Sequence, residues 1–311
     1  MAFLRLTKRS KRNHGLASVP ATPPRGEEHF STKRTVGKNT YFLTGPEDSA
    51  VTVVFVHGFT LAATQWQYQT EEIAHRARCL LPDFRGHGQT PQYPVAECSV
   101  DGAADDVYAA ITDANITGPI ILVGHSLGGM VSFNLLRRYP KLRKQIRGMV
   151  LIATAIESFS GKGTPQLLKL PVADDIRNAM EISPEEAQKL RSEFAALIAP
   201  TLGVTMFKNS GMSPAVKLHA QLLNSTPIET YVGFLDDLEK HDELAAAQAV
   251  ADIPAVVIVG DKDDVTPLAQ AEKICELMPH AALQVIPQAG HMLPLENPAV
   301  VNKAIAHFIA Q

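Results

Sequence analysis

The sequence lacks any run of about 18 apolar residues, so nothing in it reads as a membrane-spanning helix. Cysteine is scarce: Cys79, Cys98 and Cys275 are scattered, odd in number and never spaced as CxxC. That excludes a disulfide framework and a zinc site and leaves reduced, buried thiols as the expectation. Aromatic residues are only 6% of the 311, with a single Trp. No GxGxxG fingerprint and no HExxH spacing occurs, so dinucleotide, phosphate-cradle and metalloprotease readings have no support. The first residues contain no apolar h-region of about 7–15 residues, so a secretory signal is not expected and the chain reads as cytoplasmic. What remains is ordinary globular composition, 45% hydrophobic and 20% charged. The length suits one large α/β domain, alone or with a small second one.

The net charge of −3 conceals an asymmetry. Residues 1–40 carry nine Lys/Arg and two Glu, a charge of +7, whereas the other 271 residues carry −10. Arg5, Lys8, Arg9, Lys11 and Arg12 crowd together, and Pro20, Pro23, Pro24 and Gly26 follow. Residues 1–39 are therefore expected to form a basic, disordered arm. Its basic residues suit weak contact with an anionic membrane surface, each contributing about 1 kcal/mol there. Nothing in the acidic body invites nucleic acid.

From about residue 40 short apolar runs alternate with helical stretches. Residues 40–44 read as a strand, and 51–56 (VTVVFV) as one buried on both faces. Residues 79–82, 119–123, 149–153, 255–259 and 283–286 are similar. Between most of them lie helix-like segments such as 64–77, 99–114 and 127–139. That rhythm implies βαβ units and a mostly parallel sheet. Thr266-Pro267 and Asn297-Pro298 each read as an N-cap before a first-turn proline. Ser183 and Glu186 form a capping-box pattern ahead of a helix with Ala187, Leu190, Phe194, Leu197 and Ile198 on one face. No convincing strand occurs from 156 to 249, so this stretch is expected to be a helical insertion, with the core at 40–155 and 250–311.

Directly after the strand PIILV comes Gly124-His125-Ser126-Leu127-Gly128-Gly129, a G-x-S-x-G nucleophile elbow. A serine in a strained strand-to-helix turn needs glycine neighbours to relieve crowding, and the following helix aims its positive end at the site. The serine needs a base, and the base an orienting carboxylate, in the chain order Ser, Asp/Glu, His. Gly260-Asp261-Lys262-Asp263-Asp264-Val265-Thr266-Pro267 follows one strand, and Pro287-Gln288-Ala289-Gly290-His291 follows the next. Both loops therefore share the carboxyl edge with Ser126, where open α/β sheets place ligands. Three aspartates compete for the acid position on this reading alone.

With His57-Gly58-Phe59 after VTVVFV, Asp83-Phe84-Arg85-Gly86-His87-Gly88, GHSLGG, GDKDDVTP and AGHMLPLENP, residues 40–311 resemble the α/β-hydrolase superfamily in its cap-bearing branch. The resemblance implies an α/β-hydrolase fold: an eight-stranded, mostly parallel sheet flanked by helices, with a helical cap after the sixth strand. It implies Ser126 as nucleophile, His291 as general base and then acid, and Asp263, four residues before the loop proline, as the third member. It also implies an oxyanion hole from the backbone N–H groups of Phe59 and Leu127. His57 and His87 stand where the family uses histidine for local hydrogen bonding; Asp83 itself reads as a structural turn residue rather than a second catalytic acid.

Related epoxide hydrolases and haloalkane dehalogenases carry aspartate at the elbow, so serine directs the expectation to acyl transfer. The expected activity is hydrolysis of a small-molecule carboxylic ester through an acyl-enzyme, with no cofactor and no metal. The same triad would also serve an acyltransferase, a carbon–carbon bond hydrolase, a cofactor-free perhydrolase or a ligand receptor. Since the base must be neutral to take the serine proton, activity is expected to rise with pH through about 6–7. Met180, Met206, Met212, Phe159, Phe194, Phe207 and Phe234 give the insertion an adaptable apolar character, which favours a short- or medium-chain acyl or lipid-like substrate. Trp66 is a further candidate for the pocket wall.

Overall fold

Runs of Val, Ile and Leu with no polar face must bury both sides, and they do so in a central sheet. The computed structural model describes residues 26–158 and 214–311, with Ser183, Glu185, Glu186 and Lys189 between them. Eight strands pair in the order β1 (Thr32–Val36), β2 (Asn39–Thr44), β4 (Arg78–Pro82), β3 (Thr52–Val56), β5 (Ile120–His125), β6 (Ile146–Ile152), β7 (Ala255–Gly260) and β8 (Ala281–Ile286). β2 is antiparallel to β1 and β4, and every other neighbouring pair is parallel.

The period of two along each strand separates two cores. Val54, Val56, Ile120, Leu122, Met149 and Leu151 face one side, and Val53, Phe55, Ile121, Val123, Val150 and Ile152 the other. Helices α2 (Val100–Asp113) and α3 (Leu127–Arg138) cover the first face. Helix α1 (Gln67–Ile73) and the C-terminal helix, α9 (Pro298–Ile309), cover the second. Trp66 is fully buried against Phe55 in this second core, so it is a packing residue and not pocket wall. Helix α4 (Pro214–Ser225) and helix α5 (Ile228–Leu238) belong to the insertion, and α6 (Leu244–Ala249), α7 (Leu268–Leu277) and α8 (Leu293–Glu296) complete the described helices.

Three boundaries differ from the sequence reading. The expected arm, residues 1–39, overlaps the sheet: Thr32–Val36 forms edge strand β1 and pairs with β2 across a turn at Gly37, whose φ is +60°. Its residues TKRTV are almost wholly exposed, so no apolar alternation betrays the strand. The insertion closes earlier than 249. Glu157 bridges Asp242, Glu243 N–H donates to the Ile156 carbonyl (2.9 Å), and α6 packs into the main core through Ala246 and Ala247, followed by Val250. Helix α7 starts at Leu268 with Pro267 as its cap residue, because the Thr266 hydroxyl is bonded elsewhere. The three cysteines are free, Cys79 and Cys98 buried, Cys275 only half-buried. Ser183 Oγ does accept the Glu186 N–H (3.3 Å), while Ala187, Leu190, Phe194, Leu197 and Ile198 lie outside the described residues. No helix among the described residues is long and apolar enough to cross a membrane.

Five of the six buried histidines among the described residues set the pH response of this fold below neutrality. Burial holds His57 well below the ordinary imidazole value of 6.5 and pushes His87, His219 and His241 down to about 4 and His125 to about 3. Below 6.5 the unfolded chain takes up these protons and the folded chain does not, so stability falls as pH falls. Burial raises Asp83 to about 7, which works in the opposite direction over the same range, one group against five. The thermal unfolding midpoint is therefore expected to drop from pH 7 to pH 5. A midpoint that stays level or rises over that interval would refute this balance.

Candidate active site

Strand β5 delivers Ser126 to the carboxyl edge at φ +53° and ψ −121°, outside the conformations a serine adopts without constraint. The turn is forced by close packing on both flanks. A Cβ on Gly124 would come within 2.6 Å of the Gly128 carbonyl oxygen, and one on Gly128 would overlap the Val56 carbonyl. Ser126 N–H donates to the Ile152 carbonyl (2.9 Å), and the Ser126 carbonyl accepts from Gly129 N–H (2.9 Å) and Thr154 Oγ1 (2.7 Å). Both ends of the residue are thus bonded to structure outside the turn.

Asp263 and His291 meet from the loops after β7 and β8. Asp263 Oδ2 lies 2.9 Å from His291 Nδ1, and both side chains are buried. Asp263 also accepts Val265 N–H (2.8 Å) and Thr266 N–H (2.9 Å) at Oδ1, and the Thr266 hydroxyl (2.8 Å) at Oδ2. Burial alone would raise its pKa, but the His291 charge and these hydrogen bonds outweigh burial and leave it lowered. The carboxylate form is therefore the stable one. The two competing aspartates are exposed, and Asp261 is engaged with Gln288 N–H (2.7 Å).

His125, between the elbow glycine and Ser126, ties the two halves of the site together. Its Nε2 lies 3.0 Å from the His291 carbonyl, and the rings are 5.0 Å apart. A carbonyl only accepts, so Nε2 carries the proton, and burial keeps the ring neutral. Sequence reading missed this bond, since nothing in G-x-S-x-G specifies the x residue. It also assigned Thr266 to a helix cap, when its hydroxyl in fact supports Asp263.

The turn after β3 carries Phe59. Gly58 N–H donates to Gln65 Oε1 (3.0 Å) and Thr60 N–H to His87 Nε2 (3.2 Å). Among the described residues the Phe59 and Leu127 N–H groups have no acceptor. Leu127 opens α3, whose first N–H groups have no partner within the helix. His57 donates from Nδ1 to the Gly58 carbonyl (2.8 Å) and accepts Phe84 N–H at Nε2 (3.1 Å), and Asp83 accepts Ala63 N–H (2.7 Å) and Gln89 N–H (2.8 Å). Phe234 packs on His87 and Phe59, whereas Phe159, Met180, Met206, Phe207 and Met212 lie outside the described residues.

The sequence matches the family described as alpha/beta hydrolase fold over residues 51–298. The chain belongs to that family. It is similar to the dihydrolipoyllysine-residue acetyltransferase component of the acetoin cleaving system of Pseudomonas putida, 28% identical over 260 residues. That match covers 83% of this chain but only 63% of the relative, so the chain spans less than two thirds of that protein's length. A non-heme chloroperoxidase of Streptomyces lividans is 27% identical over 282 residues, 85% of this chain and 93% of the relative. Among solved structures, a thermophilic esterase from Thermogutta terrifontis superposes with a TM-score of 0.70 at 26% identity, covering 90% of this chain and 97% of that one. With such relatives, the chain is an enzyme of the α/β-hydrolase family.

The elbow packing yields a stability test. Gly128→Ala places a methyl group against the backbone of β3 and is expected to cost about 1–3 kcal/mol. Gly118→Ala, where the added carbon meets nothing within 4 Å, serves as the control. Equal melting temperatures for the two variants would contradict the packing argument.

Proposed function

We propose that this enzyme is a serine hydrolase that cleaves carboxylic esters of small, apolar substrates through an acyl-enzyme. The observation that carries the reading is the buried Asp263–His291 pair, bonded at 2.9 Å and linked by the His125–His291 bond to the residue preceding Ser126. Ser126 Oγ attacks the ester carbonyl while His291 Nε2 takes its proton. Asp263 holds Nδ1–H, so the imidazole keeps the tautomer that presents a lone pair to the serine, and it stabilises the imidazolium that forms. The oxyanion is bound by the Phe59 and Leu127 N–H groups. The intermediate collapses, His291 protonates the departing alcohol, and water repeats the sequence to release the acid.

The esterase neighbour supports hydrolysis, and the chloroperoxidase relative supports a second acceptor, hydrogen peroxide, on the same acyl-enzyme. The two share every step up to deacylation. The Met- and Phe-rich insertion favours short- or medium-chain acyl groups or a lipid-like ester.

The test is steady-state turnover of p-nitrophenyl esters from two to sixteen carbons. Ser126→Ala is expected to lower kcat by on the order of 10⁶. Asp263→Asn should lower it by about 10⁴, because the imidazole tautomer is no longer fixed. Thr266→Val removes a hydroxyl bonded to the Asp263 carboxylate and should cost about tenfold. Turnover that survives Ser126→Ala would end the serine mechanism. Faster deacylation by peroxide than by water would make peroxide the preferred acceptor.

A further inference from the structure

Thr60 is a β-branched residue at φ +57°, a left-handed conformation that such residues avoid. It directly follows Phe59, one of the two oxyanion donors proposed above. Its hydroxyl closes onto the Phe59 carbonyl (2.7 Å), and its N–H reaches out of the turn to a side chain, His87 Nε2, at 3.2 Å.

His87 is arranged to accept that bond. Its Nδ1 lies 3.0 Å from the Arg85 carbonyl, which only accepts, so Nδ1 carries the proton and Nε2 presents a lone pair. The ring is enclosed by His57, Phe84 and Phe59 from the core and by Phe234 from α5 of the insertion, with centroids 5.3, 6.1, 6.0 and 5.4 Å away. This burial keeps the imidazole neutral down to about 4. A protonated ring would have no lone pair for Thr60.

We infer that His87 is a positioning residue for the oxyanion hole: by accepting the Thr60 N–H it holds the left-handed turn that orients the Phe59 main chain. The inference rests on the serine-hydrolase reading of the site. His87 does not touch the substrate; it acts through Thr60, so its removal weakens binding of the transition state more than binding of the ester.

Two substitutions separate this role from packing. His87→Phe keeps a ring without an acceptor, and His87→Gln offers a carbonyl oxygen near the position of Nε2. Loss of an oxyanion donor outright costs on the order of 10²–10³ in kcat, so its displacement in His87→Phe is expected to cost roughly tenfold. KM should stay within about twofold, and His87→Gln should recover most of the lost rate. Affinity for an alkyl boronic acid, which becomes a tetrahedral anion on the serine, should fall by the same factor as kcat, while affinity for the product carboxylate stays level. A folded His87→Phe with wild-type kcat overturns the inference, as does a loss carried entirely by KM.

Long-range 15N–1H correlation on the wild-type imidazoles needs no turnover and no variant. His87 as the neutral Nδ1–H tautomer at pH 7 supports the inference, and the Nε2–H tautomer overturns it, even where His87→Phe fails to fold. Wild-type protein that neither hydrolyses esters nor is labelled at Ser126 by a fluorophosphonate would bring down the hydrolase reading itself. Labelling with normal turnover in His87→Phe would bring down the positioning role alone.

Discussion

The backbone of Ser126 is the constraint on which the site depends. A non-glycine residue in so sparsely populated a conformation costs of order 1–3 kcal/mol and persists only where its surroundings leave no alternative. Those surroundings are a series of main-chain bonds along the carboxyl edge. Ser126 N–H bonds to the end of β6, Ala153 N–H to Ile258 in β7 (2.8 Å), and Asp261 N–H to Ile286 at the end of β8 (3.0 Å). Each strand end is thus tied to the next, and the loops that carry Ser126, Asp263 and His291 leave from one connected row. The placement of these three loops is set by the sheet before any side chain is placed.

Three of the polar groups beneath this edge are neutral imidazoles, and that choice has an electrostatic reason. His57, His87 and His125 are buried, and each bonds main-chain groups of the loops that form the site. A neutral imidazole both donates and accepts, so His57 and His87 each bridge a carbonyl and an N–H within one ring. A lysine or arginine would only donate and would also bring a charge. Beside His291 such a charge would oppose formation of the imidazolium that the proposed mechanism requires. His125 supplies the donor to the His291 carbonyl without that cost.

Legibility followed the strength of the local steric requirement. The elbow could be read because its glycines face backbone atoms at distances that no side chain tolerates. The central strands could be read because both faces are apolar. Strand β1 could not, since TKRTV is exposed and its pairing is made by main-chain bonds that side chains do not report. Helix α6 was placed in the insertion because LAAAQA has no feature to show which body it packs on. Asp263 stood among three aspartates whose exposure only the fold distinguishes, and the family pattern, not spacing alone, favoured it. Two supports of the site are not legible: Thr266 before Pro267 reads as a helix cap although its hydroxyl bonds Asp263, and the His125 bond meets a backbone atom on a distant loop.

Helix α5 of the insertion is bonded to the core at several points. Asp237 of α5 accepts Val100 N–H (2.6 Å) at the N-terminus of α2, where a carboxylate is favoured by the helix dipole. Along the same helix Thr230 lies where a Cβ on Gly86 would sit, and Gly233 lets the helix approach Val95 and Cys98 closely. Helix α5 therefore rests directly on the loop that bears His87. Phe234 closes the ring of His87 from above, and Tyr231 packs on Phe59 with centroids 5.3 Å apart. Without this helix His87 would meet water, and a solvated imidazole titrates near 6.5. The lone pair facing Thr60 would then be lost in mildly acidic solution. By burying His87, helix α5 fixes the protonation state of a group in the core, so the Phe59–Thr60 turn is held by both parts of the chain.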